Sequence, residues 1–243
     1  IYPWQMWLDG IYMASPFLAR YGVMFNEPEL LDDVANQVKT VYKHTVDPAT
    51  GLCYHAWDEK HEQFWCNPET GCSPHFWGRA MGWYMAAIVD ILDYLPEEHK
   101  DRPEIIRIFN QCTEALFRVQ DPERLCWYQV LDQGDRPGNY IEASASCMYV
   151  YAFAKALRKG YLPDSYKERV KETYAALIRE FVEETRDGLV NVNKIVQVSG
   201  LGGAGKRDGS FAYYMSEPIV ANDGKGVGAF IGASLEVEER MER

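Results

Sequence analysis

Apolar residues recur at helical spacing along most of the chain, and strand-like alternation is brief. The spacing predicts helices over about 3–21, 28–45, 74–95, 102–119, 140–159 and 164–185, with shorter pieces near 211–217 and 226–241. Pro16 is expected to end or kink the first. Ser73-Pro74 reads as the cap and first turn of the third. Asp101 and Glu104 have capping-box spacing at the start of the fourth, and Gly160 stops the fifth. The stripes that would face inward are Leu31, Val34, Val38, Val41 and Tyr42 in the second helix, and Ile105, Ile108, Phe109, Cys112 and Leu116 in the fourth. In the sixth they are Val170, Tyr174, Leu177, Ile178 and Phe181.

Two kinds of helix alternate. Those at 28–45, 102–119 and 164–185 are amphipathic and charged, as an outer layer requires. Those at 3–21, 74–95 and 140–159 are apolar, aromatic or small around most of their circumference, which is the pattern of a buried helix. The linkers alternate as well, short from inner to outer helix and long (about 46–73, 120–139 and 186–210) from outer to inner. With antiparallel neighbours, every long loop then lies at the N-terminal end of the inner helices, and long loops in compact domains are usually functional. Each carries a β-like run: 51–57, 125–130 and 188–192. The result is a weak repeat of roughly 65 to 70 residues whose units must stack to bury their inner helices. Helical hairpins closing into a toroid, an all-α fold, account for this alternation better than a four-helix bundle. The whole of 1–243 reads as one such domain. The opening Ile1-Tyr2-Pro3-Trp4 reads as the interior of a domain.

Composition sharpens the picture. Aromatic residues make up 14% of the chain, including 7 Trp and 16 Tyr. Such a load suits either a Tyr-rich core or a carbohydrate cleft in which flat rings cover sugar faces. A net charge of −11 argues against a nucleic-acid partner. No apolar stretch approaches the roughly 20 residues of a membrane span. The 6 cysteines show no CxxC pair and no zinc spacing, so a reduced, cytoplasmic protein without metal or cofactor is expected.

The candidate chemistry lies on the inner helices and their long loops. Asp9, in Trp4-Gln5-Met6-Trp7-Leu8-Asp9-Gly10, is an ionisable group in an aromatic helix. It is either a carboxylate paired with Arg79 or capping a neighbour, or an acid/base that exchanges a proton with a ligand. His55 stands between aromatics in Tyr54-His55-Ala56-Trp57-Asp58. Arg79 and Trp83, four apart in 75–83, share a helical face, and Arg79 near a helix start suits a carboxylate, or a salt bridge to Asp9 or Glu142. Gly78 and Gly82 in the same helix cost about 1 kcal/mol each relative to alanine, so close packing or ligand approach should compensate. The run 199–210 superficially suggests a phosphate loop, but Arg207 stands where Ser or Thr belongs and no parallel-strand pattern surrounds it. A rim loop ending in an Asp208/Ser210 helix cap fits better.

Taken in order, WQMWLDG, YHAWD, FWGRAMGW, RDGSFAYYMSEP and NDGKGVGAF resemble the unsaturated rhamnogalacturonyl hydrolases of glycoside hydrolase family 105, and more distantly the unsaturated glucuronyl hydrolases of family 88. The resemblance runs from end to end, with Ala80 and Met81 departing from the family's usual glycine and asparagine. It implies that Asp9 is the catalytic acid/base and that His55, Trp77, Arg79 and Trp83 bind an oligosaccharide ending in a 4,5-unsaturated uronate from pectin. The implied reaction hydrates the vinyl ether with one carboxyl group, so the nucleophile-and-acid pair of ordinary glycosidases is not needed. The fold the resemblance implies is an (α/α)6 toroid, partial here: family members also carry helices before WLDG, including a second functional aspartate, and about eight helices stand where a closed ring of six hairpins has twelve. Two other readings remain: a catalytically incompetent sugar-binding or structural fragment that self-associates to cover its open faces, and a toroid sugar epimerase. The epimerase would need histidine pairs on inner helices, and only His55 and His75 lie in suitable places. An apolar surface is expected around Trp4, Trp7 and Ile11 and along the last inner helix.

Overall fold

The computed structural model describes residues 2–205 and 207–240. Among them the fold is all-α, with helices α1 (Leu8–Phe25), α2 (Glu29–Thr45), α3 (Gly78–Ile91), α4 (Arg102–Arg118), α5 (Ala143–Lys159), α6 (Lys167–Phe181), α7 (Phe211–Ser216) and α8 (Gly224–Ser234), the last followed by a π-helical turn over Leu235–Arg240. Six short strands, β1 (Gln5–Trp7), β2 (Ala56–Asp58), β3 (Val182–Glu184), β4 (Val190–Val192), β5 (Ile195–Val196) and β6 (Ile219–Val220), form three antiparallel pairs. The expected layering holds. α1, α3, α5 and α8 pack side by side in that order as a curved inner row, while α2, α4 and α6 back onto them from outside. Lys206 of the glycine-rich loop, and the end of the predicted 226–241 helix beyond 240, lie outside the described residues.

α3 and α5 are buried around most of their circumference because they come very close to each other, whereas α1, expected to be buried all round, leaves much of its surface exposed. A β-carbon on Gly78 would stand 3.2 Å from Ala145 Cβ, and one on Gly82 would stand 3.0 Å from Met148 Cβ. Close α3–α5 packing is therefore what the two helical glycines permit. At the far end of the row the packing is ionic. Lys155, nearly buried in α5, reaches Asp90 and Asp93 at 2.6 Å each, and Arg158 makes a two-pronged pair with Glu236 at 2.7 and 2.9 Å.

Several local expectations are corrected. Pro16 neither ends nor splits α1, which runs unbroken to Phe25. Proline removes one intrahelical hydrogen bond, but burial of Leu8, Ile11, Ser15, Ala19 and Gly22 holds both halves against α2 and α3. The segment before Leu8 is extended, because Gln5–Trp7 pairs with Ala56–Asp58 in the first long loop. Ser73-Pro74 does not cap α3: the helix starts at Gly78, and Ser73 Oγ accepts instead from the Ala56 amide. Asp101 precedes α4 without capping it, because its carboxylate takes Lys39 Nζ at 2.6 Å while Glu104 pairs with Arg107. Ile178 is exposed, and the end of the predicted sixth helix becomes β3.

The open apolar face also differs from expectation. Ile11 is buried, because it belongs to the side of α1 that packs inward. Trp4 is exposed as expected, and Met13, Phe17, Met24 and Phe25 are exposed on α1 itself. Tyr21 lies between Phe17 and Phe25 in a ladder of rings, 6.1 and 4.4 Å between centroids. Ile231 and Leu235 are exposed at the other end of the row.

Candidate active site

The N-terminal ends of α1, α3 and α5 meet the long loops on one face. Pairing of β1 with β2 continues into Leu8, whose amide donates to the His55 carbonyl at 3.0 Å. That single contact fixes the first turn of α1, and hence Asp9, against the loop that carries His55. The His55 ring is fully buried, edge-on to Trp7 at 5.3 Å and tilted over Trp77 at 4.6 Å. Its Nε2 faces Asp9 Oδ1 at 3.6 Å, too long for a hydrogen bond, and neither atom has another partner. The Asp9 side chain is 24% exposed. A carboxylate at the first turn of a helix also meets the positive end of the helix dipole.

Tyr214 of α7 completes this group. Its hydroxyl lies 2.9 Å from His55 Nδ1, and its ring stacks with Trp77 at 6.1 Å. Burial pushes the Tyr214 phenol well above its ordinary range, so it stays protonated. With no other acceptor for its hydrogen among the described residues, the hydroxyl donates to Nδ1. The imidazole proton then resides on Nε2, toward Asp9.

Arg79 lies behind this layer, almost completely buried, with its guanidinium carbon 5.7 Å from the Trp77 ring centre. Of the two partners expected for it, Asp9 and Glu142, it meets Glu142, at 3.6 Å. Its Nε donates to Ser144 Oγ at 2.7 Å, and its terminal nitrogens donate to the Val196 and Gln197 carbonyls. Most of the guanidinium's donors are thus committed to protein acceptors, so Arg79 acts first as a structural cation behind the face. Glu142 is fully buried and caps α5, accepting from the Ser144 and Ala145 amides at 3.1 and 2.7 Å and from the Val196 amide at 3.0 Å. One carboxylate and one guanidinium thus tie α3, α5 and β5 together beneath the face.

Trp83 is not part of the Asp9–His55–Trp77 group. It sits one turn further along α3, against Tyr12 at 4.4 Å, on a cavity of about 300 Å³ lined also by Met148, Tyr151, Lys225 and glycines of α8. The rim loop after β5 ends as expected, with Asp208 Oδ1 accepting from the Ser210 amide and Ser210 Oγ capping α7. Sequence reasoning did not single out Tyr214 or Gln129. Gln129 accepts from Trp77 Nε1 at 3.1 Å. The available signals were a tyrosine pair inside a distinctive C-terminal run and a polar residue in the middle of a β-like run.

The family model described as Glycosyl Hydrolase Family 88 matches residues 1–241. A 24.9 kDa protein in the picA locus of Rhizobium radiobacter is 37% identical over 230 residues, covering 92% of this chain and 97% of its own. The unsaturated rhamnogalacturonyl hydrolase YesR of Bacillus subtilis is 29% identical over 202 residues; the match takes in 83% of this chain but only 54% of that enzyme. Among solved structures, a family 105 glycoside hydrolase of C. acetobutylicum superposes with a TM-score of 0.97 at 56% identity, over 98% of this chain and 66% of that one. The unsaturated glucuronyl hydrolase of Bacillus sp. GL1, at 15% identity and a TM-score of 0.68, shares the fold over 96% of this chain. The resemblance to family 105 and that to family 88 thus meet in one group, and the chain belongs to Glycosyl Hydrolase Family 88, alongside the family 105 proteins it is similar to.

Proposed function

We propose that the chain hydrolyses oligosaccharides ending in a 4,5-unsaturated uronate, and that its substrate is the pectin-derived disaccharide in which unsaturated galacturonate is linked to rhamnose. The observation that carries the reading is the Asp9–His55 pair. A carboxyl oxygen and an imidazole nitrogen face each other unpartnered among aromatic rings, at the start of the first inner helix. YesR, whose name states the rhamnogalacturonyl substrate, supports the choice of sugar.

In this reading Asp9 as the acid protonates C4 of the vinyl ether, and positive charge develops at C5 and the ring oxygen. As carboxylate, Asp9 then takes a proton from water, whose oxygen adds to C5. The resulting hemiketal opens by breaking the bond between C5 and the ring oxygen, which leaves a hemiacetal at C1 that expels the rhamnose. Asp9 ends protonated, ready for another cycle, so one carboxyl serves both steps. His55 turns its Nε2 toward the space beside Asp9, placed to donate to the uronate, and Trp77 supplies a flat apolar wall. Arg79 adds positive potential behind the wall, while Trp83, on its own cavity with Tyr12, has no part in this step. The test is incubation with lyase-generated unsaturated rhamnogalacturonan disaccharide, following loss of the double bond's ultraviolet absorbance. Retention of the absorbance with tight binding of the sugar would favour a sugar-binding module instead.

A second expectation concerns association. The exposed ring ladder of α1 and the exposed Ile231 and Leu235 form apolar surface of the kind that proteins cover by contact. Sedimentation of the 243-residue chain should give a mass above 27.9 kDa. Phe17→Lys should shift the population toward monomer, and a monodisperse monomer without the substitution would refute the expectation.

A further inference from the structure

Five buried side-chain polar atoms among the described residues have no hydrogen-bond partner: Asp9 Oδ1, His55 Nε2, Gln129 Nε2, Tyr140 OH and Ser199 Oγ. All five belong to the first turn of α1 or to the long loops gathered at the N-terminal end of the inner helices. Buried polar groups are nearly always paired, and a set of orphans confined to one face marks a surface shaped to meet something polar.

Gln129 is the member whose orientation is fixed. It is fully buried in the loop between α4 and α5. Its backbone is clamped on both sides: the Gly78 amide donates to its carbonyl, and its own amide donates to the Tyr140 carbonyl, each at 2.9 Å. Its side-chain oxygen accepts from Trp77 Nε1 at 3.1 Å. Indole N–H can only donate, so this contact settles which end of the amide faces the ring. The NH2 end is therefore turned away from the indole, with two donors and no protein acceptor for either. The same indole carries the His55 ring at 4.6 Å, and His55 in turn faces Asp9.

We propose that Gln129 is a sugar-binding residue, whose Nε2 donates to hydroxyl or carboxylate oxygens of the uronate held between Asp9 and Trp77. The proposal rests on the reading of this face as an unsaturated-uronate site. A neutral, rigid amide suits the recognition of sugar oxygens, because a ligand that lacks them leaves both donors stranded.

The Asp9→Asn protein, expected to bind without turning over, provides the test, since it removes turnover from the measurement. Titration with the unsaturated rhamnogalacturonan disaccharide should move the Gln129 side-chain amide signals in a ¹H–¹⁵N spectrum. By calorimetry, adding either Gln129→Glu or Gln129→Met should weaken binding by at least about tenfold. The glutamate keeps the acceptor for Trp77 and loses the donors, whereas the methionine loses both. Weakening by methionine alone would show that Gln129 only props the indole, and overturn the proposal. Unmoved amide signals, or binding by both variants as tight as by the protein with Gln129, would show that the amide is satisfied without the sugar and would also overturn it; the spectrum needs no variant at position 129. If the Asp9→Asn protein itself fails to bind the disaccharide, the uronate reading of the site falls and takes this proposal with it.

Discussion

Asp9→Asn is expected to abolish turnover of the unsaturated disaccharide while leaving folding and binding intact. Amide and carboxyl are nearly the same size, so packing at the first turn of α1 is preserved. Asp9 Oδ1 makes no hydrogen bond that the substitution would break, and its contact with His55 is long, at 3.6 Å. What is lost is the ability to give a proton to carbon and then take one from water. General acid–base catalysis contributes typically about 10²–10⁴-fold, and here one group supplies both halves. Steady-state rates together with thermal melting decide the matter. Retention of a tenth of the rate, by an unchanged fold, would mean that another group moves the proton.

The largest effect on stability is expected from Glu142→Ala. Its carboxylate is fully buried and receives three backbone amides as well as Ser144 Oγ, and it faces the buried Arg79 guanidinium. Removing one partner of a buried ion pair leaves an uncompensated charge, at a cost of about 3–5 kcal/mol. Removal of this one also uncaps α5 and frees β5 from the end of the inner row. Chemical denaturation should show the loss as a lower midpoint at nearly constant slope. Glu142→Gln keeps an acceptor for the amides and should cost clearly less. Equal stability of the alanine variant and the parent would mean that Arg79 finds enough compensation in its carbonyl partners alone.

The architecture was legible because it is written in periodicity. Helices apolar all round alternate with amphipathic ones, and short linkers alternate with long ones; the inner row, the outer layer and the functional end follow from that. The chemistry of the face was legible only where neighbours in space are carried by compact motifs, as with Asp9, His55 and Trp77. Local pattern failed where a distant partner outbid it. Residues 3–7 read as helix, yet Gln5–Trp7 is claimed as a strand by Ala56–Asp58. Asp101 reads as a cap, yet its carboxylate is taken by Lys39. Arg79 reads as a site for a ligand carboxylate or as a partner of Asp9 or Glu142, and only contacts from distant segments, to Glu142 and the Val196 carbonyl, decide among them. Tyr214 and Gln129 could not be assigned, because the contacts that give them meaning bridge 159 and 52 residues of sequence.

That last separation bears on how the molecule acquires its site over time. Each inner helix packs on the next, so most of the fold is assembled from adjacent hairpins with low contact order, the kind of contacts that form early. The bond from Tyr214 to His55 spans 159 of the 243 residues and waits on loop closure across the completed row. Refolding should accordingly recover helicity first and the burial of Trp7 and Trp77 around His55 later, so that circular dichroism and indole fluorescence follow different time courses. Until that last contact forms, the imidazole lacks the hydroxyl that directs its proton toward Asp9. The chain then passes through a helical stage, built but chemically silent, before it becomes competent.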